Sequence, residues 1–406
     1  MTIVEFFEKS PFENMISCLA VKPDKVIFLG DMDEMGKVIP TYEQFLKKKH
    51  IRTKLERRKI SRQDLKSIVQ TLTDILKTER DCIFDITGGE DLTILGCGIV
   101  FAAYRDKYPV KLQRFDMESG KIIDCDGDDE VSFQGAFSFT VEEMIALQGG
   151  VVLTDYPQPD PDADKQDVDM LWNMARRELR FWNDSVKYLK EFEKRTSPEQ
   201  DKMHIDIDLT DLSYEIQGYG RKLKQYTDFL EDLVGLGAIE DFWLGRNHIS
   251  YSYKNAVVRR CLNSPGDILE MKVYFEARSM RRDGKPFFDS CQIGVNIDWD
   301  GVDRHDNDTR NEIDVILIRG LTPVFISCKI GQIQEIEPYK LWTVAERFGG
   351  KRVRKMLIAS NFDRYDEKSE LAFLNRAKEM GITFIANATQ MSDMDWRNML
   401  KNMVPW

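Results

Sequence analysis

The sequence predicts an α/β fold: a Rossmann-like sheet domain, a helical region with a winged-helix-like unit, and a second α/β domain. Three observations predict it. Short β-branched runs alternate with stretches of helical period through the first 138 residues, the pattern of a mainly parallel sheet. An acidic segment, 155–169, carrying Pro157, Pro159 and Pro161, then separates that pattern from a long helical stretch. Further on, two adjacent strand patterns carry acids on one and a lysine on the other. The boundaries expected on this basis are 1–138, 139–262 and 263–406, in keeping with about 100–200 residues per domain.

Composition narrows the class. The chain has 406 residues, 42% hydrophobic and 31% charged, a soluble globular profile. It contains no apolar run of about 18 residues, so no membrane span is expected. Met1–Pro11 lacks a basic start and a long apolar core and reads as a first strand, not a signal peptide. The seven cysteines are odd in number and form no C-x-x-C pair. Reduced thiols in a cytoplasmic protein are the expectation, without disulfides or structural zinc. The four histidines are scattered at 50, 204, 248 and 305, so any metal should be hard and oxygen-ligated. A net charge of −11 excludes nonspecific coating of nucleic acid. A polyanion would need local basic patches, such as Arg278-Arg281-Arg282-Lys285 or Lys351-Arg352-Arg354-Lys355. Taken singly, each reads first as solvated surface.

The elements follow in order. Residues 2–7 and 25–29 are strand-like, and residues 12–20 have helical spacing. Residues 61–77 read as a helix with Ser61 as its N-cap, on apolar positions Leu65, Ile68, Leu72 and Ile75. Residues 82–86 form another strand, and an apolar helix covers 92–104. Residues 110–115 and 121–124 read as a hairpin around Glu118-Ser119-Gly120. Ligands of such sheets sit at the carboxyl ends of strands. Three loops qualify: Glu8 to Phe12 with Ser10 and Pro11, Gly30-Asp31-Met32, and Thr87-Gly88-Gly89-Glu90-Asp91. In the last, glycines let backbone N–H groups approach an anion at a helix start. An ordinary tight turn capped by Asp91 has the same spacing. No G-x-G-x-x-G follows the first strand, so a dinucleotide is not indicated.

In the middle region Thr140 caps a short helix, and residues 171–194 read as one helix whose aromatics are core. Residues 226–236, the strands 242–244 and 249–253, and a helix at 255–262 suggest a winged-helix-like unit. Lacking a clear basic recognition helix, it reads as a spacer.

Residues 264–350 are the richest in chemistry. Ser264-Pro265-Gly266-Asp267 opens a helix carrying Glu270, with Ser264 as candidate cap. Two strands, 312–318 and 324–329, are joined by Arg319-Gly320-Leu321-Thr322-Pro323, and a helix runs from about Gln334 to Phe348. Side chains alternate along a strand, so Glu312 shares a face with Asp314, and Ser327 with Lys329. A hairpin aligning those faces gathers acids, a hydroxyl and an ammonium. That set suits metal-assisted phosphodiester hydrolysis: carboxylates hold a divalent ion, and a lysine adds positive charge at the phosphate or orients water. A polar-sided surface hairpin is the plainer reading.

The ordered set of helix Glu, strand Asp and strand Ser-x-Lys resembles the PD-(D/E)xK nuclease core, in its restriction-endonuclease-like branch. With the Asp85-Ile86-Thr87-Gly88-Gly89 loop, nearly the whole chain resembles the CARF-domain nucleases associated with type III CRISPR systems. The stretches that carry this are Gly266–Glu270, Asn311–Asp314, Ser327–Lys329 and Ala345–Gly350. The resemblance implies a homodimer whose CARF domains bind a cyclic oligoadenylate, with cyclic tetra-adenylate the first candidate, across the two-fold axis. It implies that binding switches on cleavage of DNA or RNA with Mn2+ or Mg2+. It makes Glu270, Asp314, Ser327 and Lys329 catalytic and Glu270, Asp314 and Glu312 metal ligands. It also makes Ser10, Pro11, Phe12, Gly30, Asp31, Met32, Thr87, Gly88, Gly89 and Glu90 ligand contacts. One departure stands out: Ser327 occupies the place of the motif's second acid. Either Glu270 or Glu312 makes up the charge, with Glu270 favoured, or activity is low. A catalytically silent sensor, and slow hydrolysis of the cyclic ligand by the first domain, are the competing readings.

Overall fold

Thr2–Phe6, buried along its whole length, is an interior strand of a seven-stranded sheet. The order is Lys54–Lys59, Lys25–Gly30, Thr2–Phe6, Cys82–Asp85, Val110–Asp116, Lys121–Asp124 and Glu130–Ser132. The first five strands are parallel and the last two antiparallel. An interior parallel strand is covered on both faces, which explains an unbroken apolar run rather than alternation. The computed structural model describes all residues except 9–10, 62, 117–120, 128–129, 133–138, 154–157, 161, 196–201, 300–309, 332, 351, 362–366 and 405–406. For 11, 12, 130–132, 310 and 367 it describes the backbone alone.

The expected hairpin of 110–115 and 121–124 is present, with its turn residues outside the described ones. Ser61 is not a cap: the helix runs Leu65–Thr78, and Asp64 accepts from the Ser67 N–H at 3.1 Å. A carboxylate nearer the first buried position, Ile68, takes that role. Helix Met32–Lys48 was hidden by Gly36 and Pro40 within it, although Met35, Ile39, Tyr42 and Phe45 are buried at helical spacing, and edge strand Lys54–Lys59 by its single apolar residue, Leu55.

The 171–194 stretch is two helices, Lys165–Arg177 and Leu179–Glu193, broken at Glu178 with φ −143° and ψ 76°. Each half has its own partner: Trp172 meets Trp396 edge-on at 6.2 Å, and Trp182 meets Phe229 at 5.7 Å. The winged-helix-like unit holds helix Tyr219–Gly235, strands Ile239–Leu244 and His248–Tyr253, and helix Ala256–Cys261 capped by Asn255. A further strand, His204–Asp208, completes its antiparallel sheet.

The C-terminal sheet is six-stranded, in the order Val151–Leu153, Ser290–Asp298, Arg310–Arg319, Thr322–Lys329, Arg354–Ala359 and Ile382–Ile385. Its first four strands are antiparallel and the remainder parallel. The edge strand Val151–Leu153 comes from the stretch that the sequence assigns to the linker. Helix Asp267–Ser279 covers one face and helix Glu337–Phe348 the other. The helix opens at Asp267 behind Gly266, so Ser264 is not its cap.

Neither face has a private core. The Asp267–Ser279 side is continuous with the middle region, through Trp172, Trp182, Phe229, Tyr274 and Ile326. The other side joins the helices of the first domain, through Phe45, Ile145, Phe325 and Phe348. At about 1.5–3 kcal/mol per fully buried large apolar side chain, these shared cores hold the three regions against one another.

Candidate active site and ligand loops

Asp314 lies where the C-terminal sheet loses its regularity. The ladder pairs Ile293 with Val315 and Val295 with Ile313, and between them Gly294 takes φ +62° opposite Asp314. On the other side the ladder with Thr322–Lys329 runs only from Arg319–Thr322 to Val315–Ile326. Alternation slips there too: Ile313, Ile316 and Ile318 enter one core, and Val315 and Leu317 the other. Irregular strand pairing of this kind re-aims a side chain. Here the Asp314 carboxylate bonds across to strand Thr322–Lys329, at Ser327 and the Cys328 N–H.

Ser327 Oγ donates to Asp314 Oδ2 at 3.1 Å, the Cys328 N–H donates to the same oxygen, and Lys329 Nζ stands 3.5 Å from it. Lys329 Nζ is also 3.5 Å from Glu337 Oε2, and Glu337 holds Lys340 at 2.8 Å. Glu270, on helix Asp267–Ser279, lies within range of the Asp314 and Lys329 charges. Burial first, then the charges of Asp314, Asp267 and Glu312, push its carboxyl well above the usual range, and Lys329 only partly opposes them. Burial also pushes Asp267 up to about 6 against Asn263 and Arg260. For Lys329, burial disfavours the ammonium, but Asp314 and Glu337 outweigh it and raise its pKa. The site is therefore a crowd of carboxylates with one lysine, a donor set that suits a hard divalent ion. Among the described residues, no three His, Cys, Asp or Glu side chains stand close enough to hold one.

Beside these acids opens a cleft of ≈ 810 Å³, whose lining includes Asp267, Glu270 and Glu312 together with Arg259, Arg260 and Asn263. Arg260 crosses Gly294: a Cβ there would lie 2.7 Å from its Nη2 and 4.0 Å from Glu312 Oε1. Sequence reasoning missed Glu337, Asp267 and Arg260, which come from separate elements with no local motif. Of the two basic patches read from sequence, Lys355 is buried and paired with Glu346. Arg281, Arg282 and Lys285 lie exposed in a two-residue hairpin.

The three loops of the first domain gather at the carboxyl ends of Thr2–Phe6, Lys25–Gly30 and Cys82–Asp85. Ser10 lies outside the described residues, and Pro11 and Phe12 open helix Pro11–Val21. Asp31 is the N-cap of helix Met32–Lys48, accepting from the Asp33 and Glu34 N–H groups at 2.9 and 3.0 Å. Thr87 Oγ1 accepts from the Phe115 N–H at 2.7 Å, and the Thr87 N–H donates to Asp85. The Gly89 N–H donates to Glu8 Oε1 at 2.7 Å. Gly89 has φ +112°, and a Cβ on Gly88 would meet Glu8 Cγ at 2.6 Å. Glu90, not Asp91, is the N-cap of helix Asp91–Tyr104, and its side chain makes no capping bond. A carboxylate thus already uses the N–H group that the sequence offers to an anion. The cavity under this loop, beside Phe6 and Thr93, measures ≈ 10 Å³, room for about one water.

Fold and site together define an α/β chain with two large sheets, whose strand-end loops and acid–lysine centre are far apart along the sequence. No protein-family model matches the chain, and no curated protein does. Solved structures share its fold from end to end. Protein VC1899 from Vibrio cholerae aligns with a TM-score of 0.72 at 17% identity, over 99% of this chain and 96% of that one. Can2 from Sulfobacillus thermosulfidooxidans, in complex with cyclic tetra-adenylate, aligns with a TM-score of 0.66 at 15% identity, over 99% and 97%.

Proposed function

We propose that this protein is a CARF-domain nuclease with a PD-(D/E)xK centre, switched on by a cyclic oligoadenylate, with cyclic tetra-adenylate the first candidate. It cleaves DNA, RNA or both with Mn2+ or Mg2+, as an effector of type III CRISPR antiviral defence in the cytoplasm. The observation that carries this reading is the meeting of Ser327 and Lys329 at Asp314, with Glu270, which lines an open cleft, within reach of the Asp314 charge. The fold shared with Can2, whose complex holds cyclic tetra-adenylate, supports the sensing half.

A divalent ion held by Asp314, Glu270 and Glu312 would supply Lewis acidity at the phosphate and lower the pKa of a water. It would also relieve the repulsion that raises Glu270. Ser327 keeps the Asp314 carboxylate aimed by donating to one oxygen. Lys329, held charged by Asp314 and Glu337, is placed to meet a phosphate oxygen. In the first domain, the Gly88-Gly89 turn and the start of helix Asp91–Tyr104 would receive phosphate or ribose. That helix exposes Leu92, Leu95 and Ile99 on one side, an apolar stripe that a second copy would cover. Each copy would then offer the same loops to half of a symmetric ring.

A catalytically silent sensor is the second reading. It is favoured by Ser327 in the acid position and by carboxylates that do not draw together by themselves. Incubating RNA, single-stranded DNA and plasmid with Mn2+ or Mg2+, with and without cyclic tetra-adenylate, separates the two. Ligand-stimulated cleavage is the expected result; heat of ligand binding without any cleavage would leave only the sensor.

A further inference from the structure

The middle region, a spacer by its sequence, carries a basic face of its own. Helix Leu179–Glu193 and the residue after it expose Lys187, Lys190 and Lys194 along one side, at i, i+3 and i+7. None of the three has an ion pair among the described residues. The acid beside them, Glu191, is held by Lys222 at 2.9 Å, and Arg195 by Glu215. These residues line an open hollow of ≈ 430 Å³. The helix that bears the hollow packs beside the cleft: its Trp182 Nε1 donates to the Pro265 carbonyl at 3.3 Å, two residues before Asp267 in the cleft wall, and the Lys190 charge acts on Asp267. Arg259 and Arg260 then continue the positive line to Gly294 and Glu312, at the acids themselves.

We infer that this face is the track that holds the substrate's phosphodiester backbone, from Lys187–Lys190–Lys194 past Arg259 to Arg260 at the cleavage centre. The inference rests on the nuclease reading and names which part of the chain grips the strand. A chain with net charge −11 needs a local basic stripe to hold a polyanion. The stripe borders the cleft that holds Glu270 and Glu312, so a strand lying on it passes the acids. Guanidinium groups at its inner end suit phosphate oxygens, which they meet in pairs. The lysines at its outer end act as point charges on successive phosphates without selecting sequence.

The test is fluorescence anisotropy of labelled single-stranded DNA, single-stranded RNA and duplex on the full chain with cyclic tetra-adenylate and EDTA. Steady-state cleavage follows in Mn2+. The variant Lys187→Glu/Lys190→Glu/Lys194→Glu changes exposed positions only, and a Gln triple variant and circular dichroism check the fold. Expected are an affinity at least tenfold weaker, a raised KM and little change in kcat. The salt dependence should also flatten by about 2 in log–log slope, at about 0.7 per phosphate contact on a single strand. Arg260→Ala, nearer the acids, should lower kcat as well. A wild type that cleaves while the triple variant keeps its KM and salt slope overturns this inference alone. A wild type that neither binds nor cleaves any of the three substrates overturns the nuclease reading with it.

Discussion

Asp314 owes its position to a local irregularity, and its partners differ in how well the sequence reveals them. Strand period two put Ser327 and Lys329 on one face, and both stand at Asp314. Glu337 and Asp267 come from other elements, and nothing local connects them with Asp314. In the proposed centre, Asp314→Asn and Lys329→Met should each lower cleavage by at least a hundredfold at unchanged melting temperature, measured on the same preparations. The roles of the other two separate by rank. Ser327→Ala removes one hydrogen bond to Asp314, and Glu270→Gln removes a charge from the ion's proposed shell. The second should be the more damaging; the opposite order would make Ser327 the ligand. A residue remote from that centre gives a pH test. Glu5 is fully buried against Asp85 of the neighbouring strand, and Oε1 has no hydrogen-bond partner among the described residues. Burial first, then Asp85, holds its carboxyl well above its ordinary value of 4.5 and so favours the neutral form. A raised folded pKa gives stability that is full below 4.5 and lost as pH rises toward the folded value. Glu5→Gln, neutral at every pH, should match wild-type melting at pH 4.5 and exceed it by a few degrees at pH 8. Parallel pH curves for the two would refute the neutral state.

At the scale of elements, the sequence exposed those with an uninterrupted apolar pattern and hid those broken by a proline, such as Met32–Lys48, or dominated by charge. The buried strands Thr2–Phe6 and Lys25–Gly30 were readable as apolar runs. Lys54–Lys59, Lys-Leu-Glu-Arg-Arg-Lys, is an edge strand with charges outward, and only its parallel pairing to Lys25–Gly30 makes it a strand. The break at Glu178 was hidden because the apolar positions on both sides fit one continuous stripe, and tertiary partners decided the matter. The glycine loop was readable as a turn, but not its occupant. Glu8 fills the place where an anion would meet the Gly89 N–H. A phosphate arriving there must displace a like charge, so Glu8→Gln should tighten cyclic tetra-adenylate binding several-fold by calorimetry. Gly88→Val should abolish it, because a side chain there collides with Glu8 and with the Phe6 carbonyl, 3.1 Å from the new Cβ. Metal-dependent cleavage without ligand should survive in both. Weaker binding by Glu8→Gln would mean that the carboxylate accepts from a ligand hydroxyl instead.

At the scale of the molecule, the two sheets have a physical connection. Helix Met32–Lys48 starts at Asp31 among the strand-end loops and runs about 25 Å, at 1.5 Å per residue. Just past its end, Lys49 pairs with Glu143 at 2.8 Å, and Phe45 stacks on Phe139 at 5.8 Å. Glu143 is already fixed, since its other oxygen accepts from the Thr140 N–H in the capping box of helix Val141–Leu147. That helix buries Val141, Ile145 and Leu147 in the core shared with Ile313, Ile316 and Phe348. Asp314 lies on the same strand as Ile313 and Ile316. A shift of Met32–Lys48 at its start would therefore press on the strand that carries Asp314, through contacts that interlock rather than slide. A ligand activates at a distance only if it favours one arrangement of such a linkage. Lys49→Ala and Phe45→Ala lie outside both sites, so neither should change ligand affinity greatly. Both should reduce the ratio of stimulated to basal cleavage by an amount worth about 0.5–2 kcal/mol of coupling. The double variant should lose less than the sum of the two, because both act on one helix junction. Calorimetry with cyclic tetra-adenylate and cleavage rates on the same four proteins make the comparison. Unchanged stimulation in both single variants would mean that the signal travels by another route, such as closure of one copy upon the other.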